Sequence, residues 1–296
     1  MANPSSIECG RDNVWIDFVK IDVPPTDGML FTAWVQTNPL LGAPPFSRGN
    51  QNGMRIYGTC TNPYYTWELW GVGNNCGAYW DSDYGGWFTY LSFNTMFGSY
   101  KNYGTEGGDG GDFTFYQSSA LDLTVAQVQD WHWVAWWVKI GTDRITLVQW
   151  VKVGTADSEV RRNESVLLYS TLRANMVSIY GWTLAEANAW IPSTIGVTQC
   201  ADDIGYYTRI NVCQTATEPT QAQLDALYAD QIPPGGILWG KYPFRWSGGA
   251  ADISDHSGNG HNMALWDAGS VLYEGIPGPL ADTSTVDITA FLASCF

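Results

Sequence analysis

The chain has 296 residues, with 14 basic and 29 acidic side chains and a formal net charge of −15. Because so acidic a chain repels phosphates and anionic lipids, we expect no nucleic-acid partner. No apolar run approaches the roughly 20 residues that cross a bilayer, so we also expect no membrane insertion. Hydrophobic residues make up 45% of the chain, which excludes general disorder and is enough for a large β-sandwich core.

Short runs of β-type residues, divided by Gly, Asn, Asp and Pro, dominate the sequence. They lie at 14–23, 30–37, 131–140, 144–153, 166–172, 177–182 and 206–212. Many short strands with turn-rich connections predict an all-β protein, an antiparallel two-sheet β-sandwich or jelly roll.

Residues 58–112 are rich in Gly, Asn, Asp and aromatic residues and predict long, partly irregular loops. Aromatic rings stack on the apolar faces of sugars, so the aromatic residues of this stretch are candidates for glycan binding. The candidates are Trp67, Trp70, Tyr79, Trp80, Tyr84 and Trp87. The alternative is that these rings pack beneath the loops or against another subunit. A neutral glycan suits the acidic chain better than a sulfated one.

Residues 131–140 and 144–153 predict a central hairpin around a tight turn at 141–143. Its first strand is apolar on both faces, so we expect it to be covered on both sides. One face carries Trp133, Ala135 and Trp137, and the other carries Val134, Trp136 and Val138. His132 lies beside two tryptophans, and we interpret it as a core histidine.

One short helix is predicted near 220–230, where Thr220 and Gln223 have the spacing of a capping box. The composition changes after this helix. We therefore divide the chain into a β-sandwich at 1–236 and a C-terminal segment at 237–296.

Four segments of the chain resemble the laminin-G and concanavalin A-like jelly-roll superfamily. They are FTAWV at 31–35, WHWVA at 131–135 with the strand at 145–153 and Gly154, YTRI at 207–210 with the helix at 220–228, and DHSGNG at 255–260. Together they span most of the chain. In the superfamily the D-x-S-G-N-G turn lies ahead of the F-T-x-x-W-V strand, whereas here it follows the closing helix.

This displaced turn leaves three possible places for the segment 237–296. It completes the sandwich of its own chain as a circular permutation, packs outside that sandwich, or pairs with the sheet edge of a neighbouring subunit. The third arrangement implies head-to-tail assembly with copies of the same chain.

The D-x-S-G-N-G turn is also a candidate calcium site, with Asp252, Asp255 and Asn259 as oxygen ligands. Asp109 and Asp112 form a second acidic loop. Structural calcium is common in the superfamily, so the resemblance implies it here as well. The alternative is a purely conformational turn, in which Asp255 caps backbone amides and the glycines adopt positive φ.

Six cysteines without a C-x-x-C motif favour disulfides over a zinc or redox site. We expect Cys60–Cys76 to close a loop, Cys200–Cys213 to close a hairpin and Cys9–Cys295 to join the chain ends. The alternative is six buried free thiols in a reducing compartment.

Residues 163–165 form a sequon that would allow glycosylation of Asn163. The first fifteen residues show neither the basic nor the apolar region of a secretory signal. We nevertheless expect an extracellular, cell-surface or virion-surface location, because disulfides persist in oxidising environments.

The superfamily includes glycoside hydrolases and polysaccharide lyases, so the resemblance also implies an enzyme as an alternative. The sequence lacks the glucanase string E-x-D-x-x-E and the lyase strings R-x-E-x-R and Q-x-H. Glu68 and Glu106 are isolated candidate acids. We therefore expect a non-enzymatic structural or adhesion protein that self-associates and contacts glycans, with a carbohydrate-active enzyme as the alternative.

Overall fold

The computed structural model describes the chain over thirteen ranges: 5–9, 16–22, 28–37, 50–59, 65–81, 86–103, 116–122, 130–155, 160–178, 182–189, 191–200, 205–261 and 272–280. Six of these ranges are described by their backbone alone: 16–22, 50–59, 65–81, 86–103, 116–122 and 191–200. The strands form two sheets in which every described pair is antiparallel. The predicted all-β, two-sheet architecture is confirmed.

In chain order the strands are β1 (Ser5–Cys9), β2 (Ile16–Asp22), β3 (Gly28–Thr37), β4 (Asn50–Thr59), β5 (Tyr65–Asp81), β6 (Gly86–Tyr103), β7 (Tyr116–Asp122), β8 (His132–Ile140), β9 (Arg144–Val153), β10 (Arg161–Leu168), β11 (Ile191–Cys200), β12 (Gly205–Gln214), β13 (Leu238–Tyr242), β14 (Arg245–Ser247), β15 (Ala250–Asp252) and β16 (Tyr273–Pro277). The helices are α1 (Tyr169–Ser178), α2 (Leu184–Ala189) and α3 (Gln221–Tyr228).

The larger sheet follows the order β10-β9-β8-β3-β12-β1-β14-β15, with β13 also on β12 and β16 also on β1. The smaller sheet follows the order β2-β11-β4-β5-β6-β7. The two sheets approach each other where β10 lies beside β6 and β7 and where β4 lies beside β8.

The central hairpin forms as predicted, with Ile140 paired to Ile145 across the turn. Both faces of β8 are buried. Val134, Trp136 and Val138 join one core cluster with α1 and α2. Trp133, Ala135 and Trp137 join a second cluster with α3. The prediction that this strand is covered on both sides is therefore confirmed.

The predicted helix near 220–230 is α3, and its capping box forms between Thr220 and Gln223. Leu224 and Leu227 are buried against the second core cluster. Tyr228 packs its ring against Trp34, with centroids 5.1 Å apart, and edge-on against Trp133 at 5.8 Å. The helix thus covers one face of the larger sheet.

Two strand predictions differ from the structure around α1. The run at 166–172 is strand only as far as Leu168, and the run at 177–182 begins inside the helix. The buried residues Tyr169, Leu172 and Met176 fall at i, i+3 and i+7, so one helical face points into the core. Packing of that face against the core decides the conformation here.

Residues 65–81 and 86–103 differ from the irregular loops expected for this part of the chain. They form β5 and β6, strands of 17 and 18 residues that pair with each other along almost their whole length. The aromatic residues that suggested loops also have high β-propensity. Gly73 and Asn74 fall at an irregularity of the ladder between Val72 and Asn75.

The described strands of the C-terminal segment extend the larger sheet of this chain. Strand β13 pairs with β12 over residues 210–213, and β14 and β16 pair with β1. Trp131 donates its indole N–H to the carbonyl of Pro277 at 3.1 Å. These contacts place residues 238–252 and 273–277 along the edge formed by β1 and β12.

Candidate functional site

The β5–β6 hairpin is longer than its neighbours on both sides. Strand β4 pairs with β5 only over residues 67–76, and β7 pairs with β6 only over 92–97. Residues 77–81 and 86–90 have each other as their only ladder partners among the described strands. At about 3.3 Å per residue, this two-stranded end extends about 16 Å beyond the described residues of β4 and β7. We call it the aromatic ribbon.

Aromatic residues occupy positions on both faces of the aromatic ribbon. Trp80 is paired directly with Trp87, and Tyr79 is paired with Phe88. Cross-strand partners share a face, and adjacent residues alternate between faces. Tyr90, paired with Gly77, therefore shares the face of Tyr79 and Phe88.

The structure brings together only part of the predicted glycan-binding set. Tyr79, Trp80 and Trp87 belong to the aromatic ribbon, whereas Trp67 and Trp70 lie near the opposite end of β5. At about 3.3 Å per residue, the two groups lie on the order of 30 Å apart along the strand. Tyr84 lies outside the described residues.

Sequence reasoning did not select Phe88 and Tyr90, which share the aromatic ribbon with these residues. Residues 86–91 are rich in aromatic and β-branched residues, and this composition predicts a strand there.

The D-x-S-G-N-G turn is organised by the carboxylate of Asp255. Its Oδ1 accepts the backbone N–H groups of Lys241 at 3.0 Å and Ser257 at 2.8 Å. Its Oδ2 accepts the Ser257 hydroxyl at 2.9 Å and the His261 N–H at 2.9 Å. Partial burial acts to raise the pKa of Asp255, but these hydrogen bonds outweigh it and lower the pKa to about 2.

The glycines of the same turn adopt the left-handed conformation, with φ of 86° at Gly258 and 77° at Gly260. Asn259 donates its amide to the carbonyls of Leu238 and Trp239 at 3.1 and 3.0 Å, which fixes the turn against β13. These are the contacts that the conformational interpretation predicts.

The three proposed calcium ligands make separate contacts. Asp252 accepts the Ser254 hydroxyl at 2.6 Å and lies 3.8 Å from the Arg245 guanidinium, while Asp255 is occupied by the donors above. Within the described ranges, no group of three or more His, Cys, Asp or Glu side chains could hold a metal ion. Asp109 and Asp112 lie outside those ranges. Calcium binding stays a prediction.

Asp252, Ser254 and His256 have the residue types of a catalytic triad but not its geometry. The Ser254 hydroxyl lies 3.1 Å from His256 Nε2, and Asp252 Oδ2 lies 3.4 Å from the same nitrogen. In a triad the carboxylate holds one ring nitrogen while the other faces the nucleophile. Here the hydroxyl also donates to Asp252, so nothing in this group activates it.

The other catalytic candidates are dispersed. Glu68 is in β5, paired with Tyr57 on one side and Tyr100 on the other, and Glu106 lies outside the described residues. His132 is fully buried, and its Nδ1 lies 3.1 Å from the carbonyl of Asp130. Burial lowers the pKa of His132 to about 4, so it is a neutral core residue, as expected.

A buried ionic cluster joins the C-terminal strands to the centre of the larger sheet. Arg209, in the irregular part of β12, is 8% exposed and donates Nη1 to Asp230 Oδ2 at 2.5 Å. The Nη2 of Arg209 donates to the carbonyl of Leu280 at 3.1 Å. Lys241 of β13 lies 2.9 Å from the same Asp230 carboxylate. These contacts hold the C-terminal segment against β12, so we assign the cluster a structural role.

The predicted Cys200–Cys213 disulfide is wrong. Cys213 is a free, buried thiol in β12, whereas Cys200 is in β11 of the other sheet. The two strands are consecutive along the chain, which suggested a hairpin, but the chain changes sheet between them. Burial raises the pKa of the Cys213 thiol to about 12, so the thiol stays protonated at neutral pH.

Other predicted positions are only partly described. Cys60 and Cys295 lie outside the described residues, and the side chains of Cys9 and Cys76 lie outside them too, so both remaining disulfides stay predictions. Asn163 is in β10, paired with the fully buried Gln149. Its side chain is not among those described.

Together, the fold and these sites define a predominantly antiparallel β protein built from two sheets. No protein-family model matches the chain, and no curated protein sequence matches it. Among the described residues, no helix is long and apolar enough to cross a membrane.

Proposed function

We propose that this chain is a non-enzymatic structural or adhesion protein of an extracellular, cell or virion surface, and that it acts through self-association and glycan contact. The observation that carries the proposal is the aromatic ribbon, which extends past β4 and β7 with Trp80 and Trp87 paired across it. An isolated two-stranded ribbon is only marginally stable in water, so a partner that covers it would stabilise it.

The composition of the aromatic ribbon supports contact with another protein surface. Its ten residues include five aromatic ones and a single charge, that of Asp81. Natural edge strands usually carry Lys, Pro or other charges that block pairing with further strands, and this ribbon has neither Lys nor Pro. A chain of net charge −15 repels its copies, so a nearly uncharged element is the favourable place for them to meet.

The test is a comparison of three chains by sedimentation velocity over a range of concentrations. The unchanged chain is expected to associate as its concentration rises, and the double variant Trp80→Ala/Trp87→Ala is expected to stay monomeric. Thr89→Ala, on the same face of the ribbon, is the matched control and should associate normally. Circular dichroism checks that all three chains fold. Equal association of all three chains, or none by the unchanged chain, would contradict self-association through the ribbon.

Two further experiments test glycan contact and the alternative of an enzyme. Binding to a neutral glycan on an array, lost in the double variant, would support the glycan contact. Turnover of β-glucan, alginate or pectin by the purified chain would contradict the non-enzymatic part of the proposal.

A further inference from the structure

The C-terminal strands occupy their sheet edge as an added β-strand ligand does. Strand β13 supplies a main-chain ladder to residues 210–213 of β12, and Tyr242 and Phe244 are fully buried in the first core cluster. A ladder combined with alternate anchoring side chains is the chemistry of β-strand addition. Strands β12 and β1 thus bind this segment through backbone groups and anchoring side chains. An identical segment from another copy carries the same groups.

Polar contacts with β12 and β1 fix the position of the C-terminal strands. The N–H of Arg209 donates to the carbonyl of Pro243 at 2.8 Å, and Ser6 donates its hydroxyl to the carbonyl of Ile276 at 2.8 Å. Each of these donors belongs to β12 or β1, and each acceptor belongs to the C-terminal segment. None of them requires the two strands to come from one molecule.

A short loop, exposed except at the buried Pro233, connects α3 to β13. Gln231, Ile232, Pro234, Gly235 and Gly236 are all exposed, and Ile232 is 74% exposed. The chain turns back through left-handed conformations at Gly235 and Gly236, with φ of 91° and 67°. The preceding Pro233-Pro234 pair favours extended backbone. A loop that ran straight on to a second copy would not need the turn at Gly235 and Gly236. Short loops of this kind favour exchange of the following element between copies.

We propose that, in the assembled protein, the strands β13, β14 and β16 of one copy occupy the β12 and β1 edge of a second copy. This inference rests on the self-association proposed above: contact through the aromatic ribbon brings copies together, and the partner in the exchange is another copy of this chain. Exchange passed from each copy to the next extends the assembly, whereas reciprocal exchange closes a dimer. In a dilute solution the copy's own segment has the higher effective concentration, which favours the closed chain described here.

Crosslinking between two singly substituted chains tests the exchange. Ser5 of β1 donates its hydroxyl to Glu274 of β16 at 3.0 Å, at an exposed contact between body and segment. Chains with Ser5→Cys are mixed with chains with Glu274→Cys, refolded together, concentrated and treated with a short bismaleimide. Peptide mapping then identifies a crosslink between positions 5 and 274, which in this mixture forms only between molecules. Asp143→Cys, on the exposed turn before β9, replaces Glu274→Cys in the matched control.

Exchange predicts the intermolecular 5–274 crosslink in the assembled fraction and its absence from the control mixture. Insertion of Gly-Ser-Gly-Ser between Gly235 and Gly236 should abolish most of that product, because a longer loop relaxes the turn. An assembled fraction without the crosslink, when a chain with both substitutions crosslinks within itself, would overturn the exchange while leaving self-association intact. A mixture that does not assemble would overturn both proposals.

Discussion

Arg209 and Asp230 form an ion pair, with 2.5 Å between Nη1 and Oδ2, that joins β12 to the residue two positions beyond the end of α3. Both residues have left-handed backbone, with φ of 55° and 57°. The N–H of Asp230 donates to Leu227, and that of Gln231 donates to Ala226, so Asp230 takes the helix-ending position where glycine is preferred. The pair holds this backbone in place while it neutralises a buried guanidinium.

Asp230→Asn is expected to lower the free energy of unfolding by about 3 kcal/mol, because it leaves Arg209 buried without its charged partner. Asparagine tolerates the left-handed conformation, so the effect reports the charge and not the backbone. The measurement is urea denaturation at pH 7. Asp143→Asn, which breaks the exposed pair with Arg144, should have a much smaller effect, because solvent screens that pair. Equal effects of the two variants would contradict the role given to the buried cluster.

His132 predicts a loss of stability in mildly acidic solution. Its pKa is about 4 in the folded chain against the ordinary value of 6.5, so the unfolded chain binds the proton more readily between these values. The free energy of unfolding should therefore fall as the pH decreases from about 6.5 to about 4, by on the order of 3 kcal/mol. Urea denaturation across this range measures the slope, and His132→Gln should flatten it. Thr217→Ala, which removes no titratable group, is the control and should keep the slope.

The carboxylate of Asp255 predicts an acid-sensitive turn. Its folded pKa of about 2 lies below the ordinary 3.8, so the stability it contributes is complete above pH 4 and is lost as the pH falls towards 2. Allowing for solvent screening, the contribution is about 1 to 2 kcal/mol. Asp255→Asn should remove it at neutral pH, as a lower melting temperature.

The same carboxylate allows a test of metal dependence. Because four protein donors already occupy its oxygens, EDTA is expected to leave the melting temperature of the unchanged chain unaltered. A rise in melting temperature on adding calcium that disappears in Asp255→Asn would instead establish the calcium site.

Loss of the capping box of α3 is expected to lower the stability by less than loss of the buried ion pair does. Thr220→Ala removes the hydroxyl that accepts the N–H of Gln223 and should cost about 1 kcal/mol. Thr217→Ala is the control, because the contact made by Thr217 uses its backbone carbonyl. Thermal denaturation distinguishes the two variants, and a Thr220→Ala melting temperature equal to that of the control would contradict the capping assignment.

The parts of the fold that the sequence predicts are those decided by neighbours along the chain. Alternation in β8 indicates two buried faces, and the T-x-x-Q spacing indicates the start of α3. Tertiary packing decides the conformation at Tyr169, Leu172 and Met176, where a helical face is buried against the core.

Long-range pairing explains the other differences. The Cys200–Cys213 prediction rested on a hairpin, and β11 and β12 do not form one because they belong to different sheets, which local turn residues do not encode. In the candidate site, sequence composition predicts Tyr79, Trp80 and Trp87 as contact residues, and this stays a prediction. Their place at the end of a hairpin that extends past the described residues of β4 and β7 depends on long-range pairing, and no local pattern gives that information.

Amide hydrogen exchange over residues 77–81 and 86–90 tests the central claim most directly. If the aromatic ribbon is the contact between copies, its amides should exchange quickly in dilute monomer and become protected in the assembled protein, while those of β8 and β9 stay protected in both. Ribbon amides that exchange at the same rate in both states would contradict the account.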